Sequence, residues 1–209
     1  MVLRKPGKII KEQTEAGAYR PISLLCTVGK IIDSVMAARI TRAAEESHLL
    51  PDMQMGNRAN RSTELAVRIL SDAVHTAWSR NACASLLQLD LSGAFDTVHH
   101  LRLLDTMRAK GLPAWVVRWV RSYLEDRTAV LVFDGEASAR RVVPAGVPQG
   151  SPLSPILFIL YISTLYNDLE RLRGTLTIGF ADDTNVLAFS RDTPTCCASI
   201  ERAWKICKA

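Results

Sequence analysis

Asp182 and Asp183 stand side by side in Phe180-Ala181-Asp182-Asp183, and Asp90 ends the apolar run Ser85-Leu86-Leu87-Gln88-Leu89-Asp90-Leu91. Neighbouring carboxylates repel, which raises the proton affinity of at least one of them unless a cation sits between. An acid closing an apolar run is costly unless it is paired or bound to metal. Carboxylate oxygens are hard donors, so a divalent cation is the natural partner of such a set. An adjacent acid pair on a hairpin is also compatible with a plain solvated turn, and the third acid is what argues against that reading.

The elements that must position these acids are legible from spacing. Thr175 to Phe180 and Asn185 to Phe189 are rich in β-branched, aromatic and aliphatic residues, which predicts a β-hairpin with the acid pair at its tip. Period two puts Gln88 and Asp90 on one strand face and Leu87, Leu89 and Leu91 on the other. Val28, Ile31, Ile32, Val35, Met36 and Ile40 repeat as in a core helix that Pro51 stops. A polar turn over Asp52 to Arg61 precedes a helix capped by Ser62 or Thr63 and burying Leu65, Ile69, Leu70 and Ala73. Further helices are predicted to bury Leu101, Leu104 and Met107, with Asp96 or Thr97 as cap, and Trp115, Val116, Trp119, Val120 and Tyr123. Asp134-Gly135 marks a second hairpin between Thr128–Phe133 and Ala139–Val143. Gly146 to Ser151 reads as a loop that can approach another molecule closely, leading into an apolar helix from about Pro152 to Leu169. A last helix follows Thr193 as its cap. The order predicts an α+β fold with an antiparallel sheet packed on helices.

At 209 residues and 48% hydrophobic content the chain has enough apolar mass for one large core or two small lobes. Its 26 basic against 21 acidic residues, net charge +5, favour an acidic partner such as nucleic acid. Five cysteines in no C-x-x-C spacing read as reduced thiols of an intracellular protein. The longest apolar run, Ile156 to Ile162, is too short to span a bilayer, and no membrane partner is expected.

Leu89-Asp90-Leu91-Ser92-Gly93-Ala94-Phe95-Asp96-Thr97-Val98, Gly146-Val147-Pro148-Gln149-Gly150-Ser151-Pro152-Leu153 and Phe180-Ala181-Asp182-Asp183 occur in that order. Together they resemble the reverse transcriptase of non-LTR (LINE-type) retrotransposons. Lys5-Pro6-Gly7-Lys8, Tyr19-Arg20-Pro21-Ile22-Ser23-Leu24-Leu25, and Gln54-Met55-Gly56-Asn57-Arg58 with Arg61-Ser62-Thr63 extend the match, although the family usually carries an aromatic where Asn57 stands. The resemblance implies the fingers (residues 1–85) and palm (residues 86–209) of a right-hand polymerase, with the thumb absent. It implies RNA-directed DNA synthesis in retrotransposition, adding deoxynucleotides to a primer 3′-hydroxyl by two-metal phosphoryl transfer.

On the same resemblance, Asp90, Asp182 and Asp183 are the catalytic and metal-binding acids. Two Mg²⁺ ions are the expected cofactor, with Mn²⁺ as an alternative. Arg20 is expected on the incoming triphosphate, Phe95 as a steric gate against the 2′-hydroxyl, and Gln149 with Gly150 at the nascent pair. Lys8, Arg58 and Arg61 are candidate nucleic-acid contacts. Expected partners are an RNA or DNA template, a DNA primer and deoxynucleoside triphosphates, and the expected location is the nucleus. Two other readings stay open at this stage: a retrotransposon remnant that binds nucleic acid without polymerising, and a metal-dependent hydrolase using the same acids.

Overall fold

The computed structural model describes residues 1–5, 15 and 18–208. In chain order they form β1 (Val2–Arg4), β2 (Tyr19–Pro21), α1 (Thr27–Glu46), α2 (Thr63–Ser79), β3 (Cys83–Asp90), α3 (His100–Ala109) and α4 (Ala114–Leu124). There follow β4 (Thr128–Ala129), β5 (Val132–Phe133), β6 (Glu136–Ala137), β7 (Arg141–Val142), α5 (Ser154–Glu170), β8 (Thr175–Phe180), β9 (Asp183–Ser190) and α6 (Thr193–Lys208). This is the mixed helix and antiparallel-sheet architecture that the sequence predicts. The chain divides into two compact units, each built from two stretches: Met1–Ile40 with Phe95–Leu157, and Thr41–Ala94 with Phe158–Ala209.

The second unit is organised on the antiparallel sheet β3-β9-β8. One face carries Leu176 and Ile178, which pack with Met53, Met55, Ala66, Ile69 and Leu70. The other buries Val186 with Leu169 of α5, Ala203 of α6 and Leu87. Fully burying an aliphatic side chain of this kind contributes about 1.5–3 kcal/mol. α5 is apolar on most sides over Ile156 to Ser163, because nearly all of that stretch is buried. No helix among the described residues is long and apolar enough to cross a membrane.

In the first unit, β1 pairs with β2, and Tyr19 meets Phe133 edge-to-face at 5.4 Å. The predicted second hairpin forms around Asp134 and Gly135, both at positive φ, but as two ladders of two residues each, β5-β6 and β4-β7. α1 departs from expectation. Val28, Ile31, Ile32 and Val35 are exposed, and only Met36, Ile40 and Ala44 of its apolar residues are buried, together with Asp33. Helical spacing shows which residues share a side but not whether anything covers it.

Three caps also differ or resolve. Ser62 Oγ accepts from Leu65 N at 3.2 Å, as predicted for α2. His99, not Asp96 or Thr97, caps α3, its ring nitrogen accepting from Arg102 N at 3.4 Å. Asp192, not Thr193, holds the start of α6, accepting from Thr195 N at 2.8 Å. In both corrected cases the cap lies within one to three residues of the predicted one, which is the usual uncertainty of a helix end.

Candidate active site

β3 and β9 run antiparallel with Asp90 directly opposite Asp183, and β8 places Phe180 opposite Asp183 on the other side. Opposed residues of an antiparallel ladder share a face and stand about 4.5–5.5 Å apart at Cα. Two residues down the same face, Gln88 Nε2 donates to Asn185 Oδ1 at 3.2 Å. The predicted pairing of Gln88 and Asp90 on one face is therefore present. Asp183 opens β9, so the turn proper is Ala181-Asp182 alone. Ala181 is held at φ 55°, a left-handed conformation that costs a residue with a β-carbon about 1–2 kcal/mol.

Burial pushes the Asp183 carboxyl above the usual range, and the charges of Asp182 and Asp90 push it further. Asp183 is thus near enough to both of the other acids to feel their charge. A groove of about 430 Å³ opens beside Asp90 and Asp183, bounded also by Gln88, Asn185, Phe180 and Thr63. No basic side chain among the described residues forms an ion pair with any of the three. Nor do three His, Cys, Asp or Glu side chains already stand in a metal-binding arrangement among those residues. Carboxylates that only repel hold apart, and a bound hard cation would draw them together. Oxygen-only donors, with the proton affinity of Asp183 raised by its neighbours' charge, fit Mg²⁺.

The acid turn rests on the segment expected to be a polar turn. Gln54, Met55 and Gly56 are instead buried. Met55 N donates to Gly179 O at 2.7 Å and Gly179 N to Met53 O at 2.9 Å, so the segment adds to the open edge of β8. Gly56 lies flat on the acid turn, where a β-carbon would overlap Ala181 N and stand 3.0 Å from the Phe180 carbonyl carbon. Behind the turn, the fully buried Tyr166 hydroxyl bonds Thr184 Oγ1 at 2.9 Å, and burial pushes that phenol up to about 12. A β-carbon at Gly179 would overlap the same hydroxyl. Sequence reasoning matched Gly56 only as a motif letter; the signal missed was its place beside Met53 and Met55, two apolar residues inside a segment read as polar.

Arg58 and Arg61 anchor this segment. Arg58 forks onto Glu45, Nη2 to Oε2 at 2.6 Å and Nε to Oε1 at 2.8 Å, and Nη1 donates to Pro51 O at 2.6 Å. Its side chain is 5% exposed. The Arg58 hydrogen bond, opposed by burial, holds the Glu45 carboxyl below its usual range. Arg61 donates to Asp52 O and to Met55 Sδ. Asn57 takes φ 53°, which asparagine tolerates better than an aromatic does.

The remaining candidates lie in the first unit. Arg20 is exposed on β2 opposite Leu3, and no acid among the described residues pairs with it. Phe95 is half-buried, and its carbonyl accepts from Val147 N at 2.7 Å. Gln149 Nε2 donates to Asp96 Oδ2 at 3.0 Å, and Ser23 N donates to Gln149 O at 2.7 Å. Gly150 holds φ 109° with Ser23 O at 2.9 Å from where a β-carbon would sit, so only glycine fits. Ser151 Oγ donates to the buried Asp33 Oδ2 at 2.6 Å and fixes the end of the loop. Lys8 lies outside the described residues.

Comparison with known proteins matches residues 3–209 to the family described as reverse transcriptase (RNA-dependent DNA polymerase). The chain is 35% identical over 191 residues to a probable RNA-directed DNA polymerase from transposon X-element of Drosophila melanogaster, covering 91% of this chain and 21% of that protein. It is 32% identical over 198 residues to the RNA-directed DNA polymerase from mobile element jockey of the same species, covering 91% and 21%. It thus spans about a fifth of the length of these relatives. Among solved structures, telomerase from Candida albicans in complex with a fragment of telomeric RNA superposes with a TM-score of 0.58 at 13% identity, covering 83% of this chain and 32% of that one. Apo telomerase from Candida tropicalis, truncated from its C-terminal domain, gives 0.56 at 16%, covering 84% and 36%. At such identities the likeness concerns the fold.

Proposed function

The chain belongs to the reverse transcriptase (RNA-dependent DNA polymerase) family, and on that premise we propose that it is the polymerase domain of a non-LTR retrotransposon, copying RNA by adding deoxynucleotides to a primer 3′-hydroxyl. The observation that carries the reading is the register of β3 against β9, which sets Asp90 opposite Asp183 beside Asp182. Asp90 and Asp182 would hold two Mg²⁺ ions, or Mn²⁺, with Asp183 as an outer or partial ligand. Bound there, such ions activate the attacking hydroxyl and stabilise the leaving pyrophosphate.

The chain's own residues bind and orient. Arg20 suits the triphosphate because its planar fork meets phosphate oxygens in pairs. Phe95 is assigned to the sugar, where a ring excludes a 2′-hydroxyl. Gln149 and Gly150 are assigned to the nascent pair, where contact without base readout is needed. Lys8 and Arg61 are assigned to the nucleic-acid backbone, whereas the fork of Arg58 is already engaged by Glu45. In functional terms residues 1–85 act as fingers and 86–209 as palm, on an RNA or DNA template with a DNA primer. Synthesis coupled to insertion in a genome would take place in the nucleus.

Primer extension on RNA and DNA templates by the full-length enzyme tests this. Asp90→Asn and Asp182→Asn keep the shape and remove the charge, so each is expected to abolish extension while the protein stays folded. Undiminished extension by either variant rejects the assignment.

A further inference from the structure

Asp96 is one residue after the proposed sugar gate and was expected to cap α3, but His99 performs that task. Its carboxylate instead meets Gln149. The two segments are also stitched at the backbone: Val147 N donates to Phe95 O at 2.7 Å and Gly146 N to Val98 O at 2.9 Å. His100 Nε2 bonds Gly146 O at 2.8 Å. Gly146, at φ 86°, lies so close that a β-carbon would stand 2.7 Å from Asp96 O. Residues 95–100 and 146–149 therefore form one clamp, and the Asp96–Gln149 bond is its side-chain tie.

The tie has a chemical direction. An ionised carboxylate only accepts hydrogen bonds, whereas a primary amide has a donating and an accepting end. Facing Asp96, Gln149 must present its NH₂ to the carboxylate, which leaves its Oε1 as the end free to accept. Among the described residues nothing donates to that oxygen. Without Asp96, the amide is free to rotate about its last torsion and present either end. Burial raises the Asp96 carboxyl, but the Gln149 bond and the Lys5 charge both favour its ionised form.

We propose that Asp96 is a positioning residue that locks the Gln149 amide with its oxygen toward the incoming nucleotide. The inference rests on the assignment of Gln149 to the nucleotide site, and the two fail separately. In the full-length enzyme, steady-state extension with a single deoxynucleoside triphosphate is measured for Asp96→Ala, Gln149→Ala, the double variant and Asp96→Asn. Losing a hydrogen bond to a charged partner is worth on the order of 10-fold or more in binding.

Asp96→Ala is expected to raise the nucleotide KM about 10-fold while kcat changes much less. Gln149→Ala is expected to do the same, and the double variant to be no worse than Gln149→Ala alone, since Asp96 acts only through Gln149. Asp96→Asn, whose amide can pair with Gln149 in either orientation, is expected to recover only part of the affinity, because the direction of the tie is no longer fixed. Recovery of all of it would show that the carboxylate's acceptor-only character is not what sets the amide and would overturn the inference. A merely structural Asp96 would lower kcat and the melting temperature together, and its effect would multiply with that of Gln149→Ala. That result overturns the inference, as does an unchanged KM in Asp96→Ala. An unchanged KM in Gln149→Ala would instead overturn the nucleotide assignment on which it rests.

Discussion

Gly56 and Ala181 touch at the backbone: the first has no room for a side chain because the second, strained at φ 55°, lies against it. A segment added to the edge of β8 thereby braces the turn that carries Asp182. Gly56→Ala must push that turn aside or distort the segment. Overpacking of this kind costs about 1–3 kcal/mol, and misplacing a catalytic group by an ångström costs about 10²-fold in rate. The expected result is a fall in kcat far larger than the fraction of protein unfolded at the assay temperature. Wild-type kcat with only a lowered melting temperature would show that the brace does not reach the acids.

Divalent ions should stabilise the folded protein through the same acids. A ligand present at 100 times its Kd and binding only the folded state adds about 2.7 kcal/mol. Mg²⁺ or Mn²⁺ is therefore expected to raise the melting temperature of the wild type, and a chelator to reverse it. Asp90→Asn and Asp182→Asn should lose most of this shift. Equal shifts in all three proteins would place the ion elsewhere.

Arg58 should matter for stability and not for nucleic-acid binding. Arg58→Met leaves Glu45 without its fork, and a hydrogen bond to a charged group is worth about 1.5–3 kcal/mol, less here because Glu45 is one-third exposed. Glu45 has a folded pKa below its ordinary 4.5. Its contribution is therefore full above pH 4.5 and fades as pH falls through the lowered folded value. Unfolding measured between neutral and acid pH should show the gap between wild type and variant closing in that window. The salt dependence of nucleic-acid affinity should be unchanged, and a slope reduced by about one would return Arg58 to the phosphate contacts.

Phe95 can be tested by ratio. Phe95→Val is expected to keep deoxynucleotide incorporation within about an order of magnitude and to raise ribonucleotide incorporation, so the ratio of the two kcat/KM values shifts. If the ring only packs, Phe95→Ala costs less than the ~3–5 kcal/mol of a fully buried ring, since Phe95 is half-buried, and the ratio stays constant while both rates fall.

Local chemistry made much of this molecule legible in the sequence. Period-two alternation exposed the strand ending at Asp90, turn-forming residues exposed both hairpins, and the serine before an apolar repeat exposed the Ser62 cap, because each of these signals is carried by residues close together in the chain. The acids could be grouped on their types, since adjacent carboxylates and an acid closing an apolar run are both costly without a cation. Other features depend on pairings across long separations. The β3–β9 register that sets Asp90 against Asp183 joins residues 93 positions apart. The brace of Gly56 on Ala181 and the tie between Asp96 and Gln149 likewise join distant segments. Periodicity assigned Val28 and Ile31 to a core from which they are excluded, and the segment read as a polar turn holds Gln54, Met55 and Gly56 buried. A side chain's type limits what it can bond, but only the tertiary fold decides which partner reaches it first, as it did for Arg58 and Asp96.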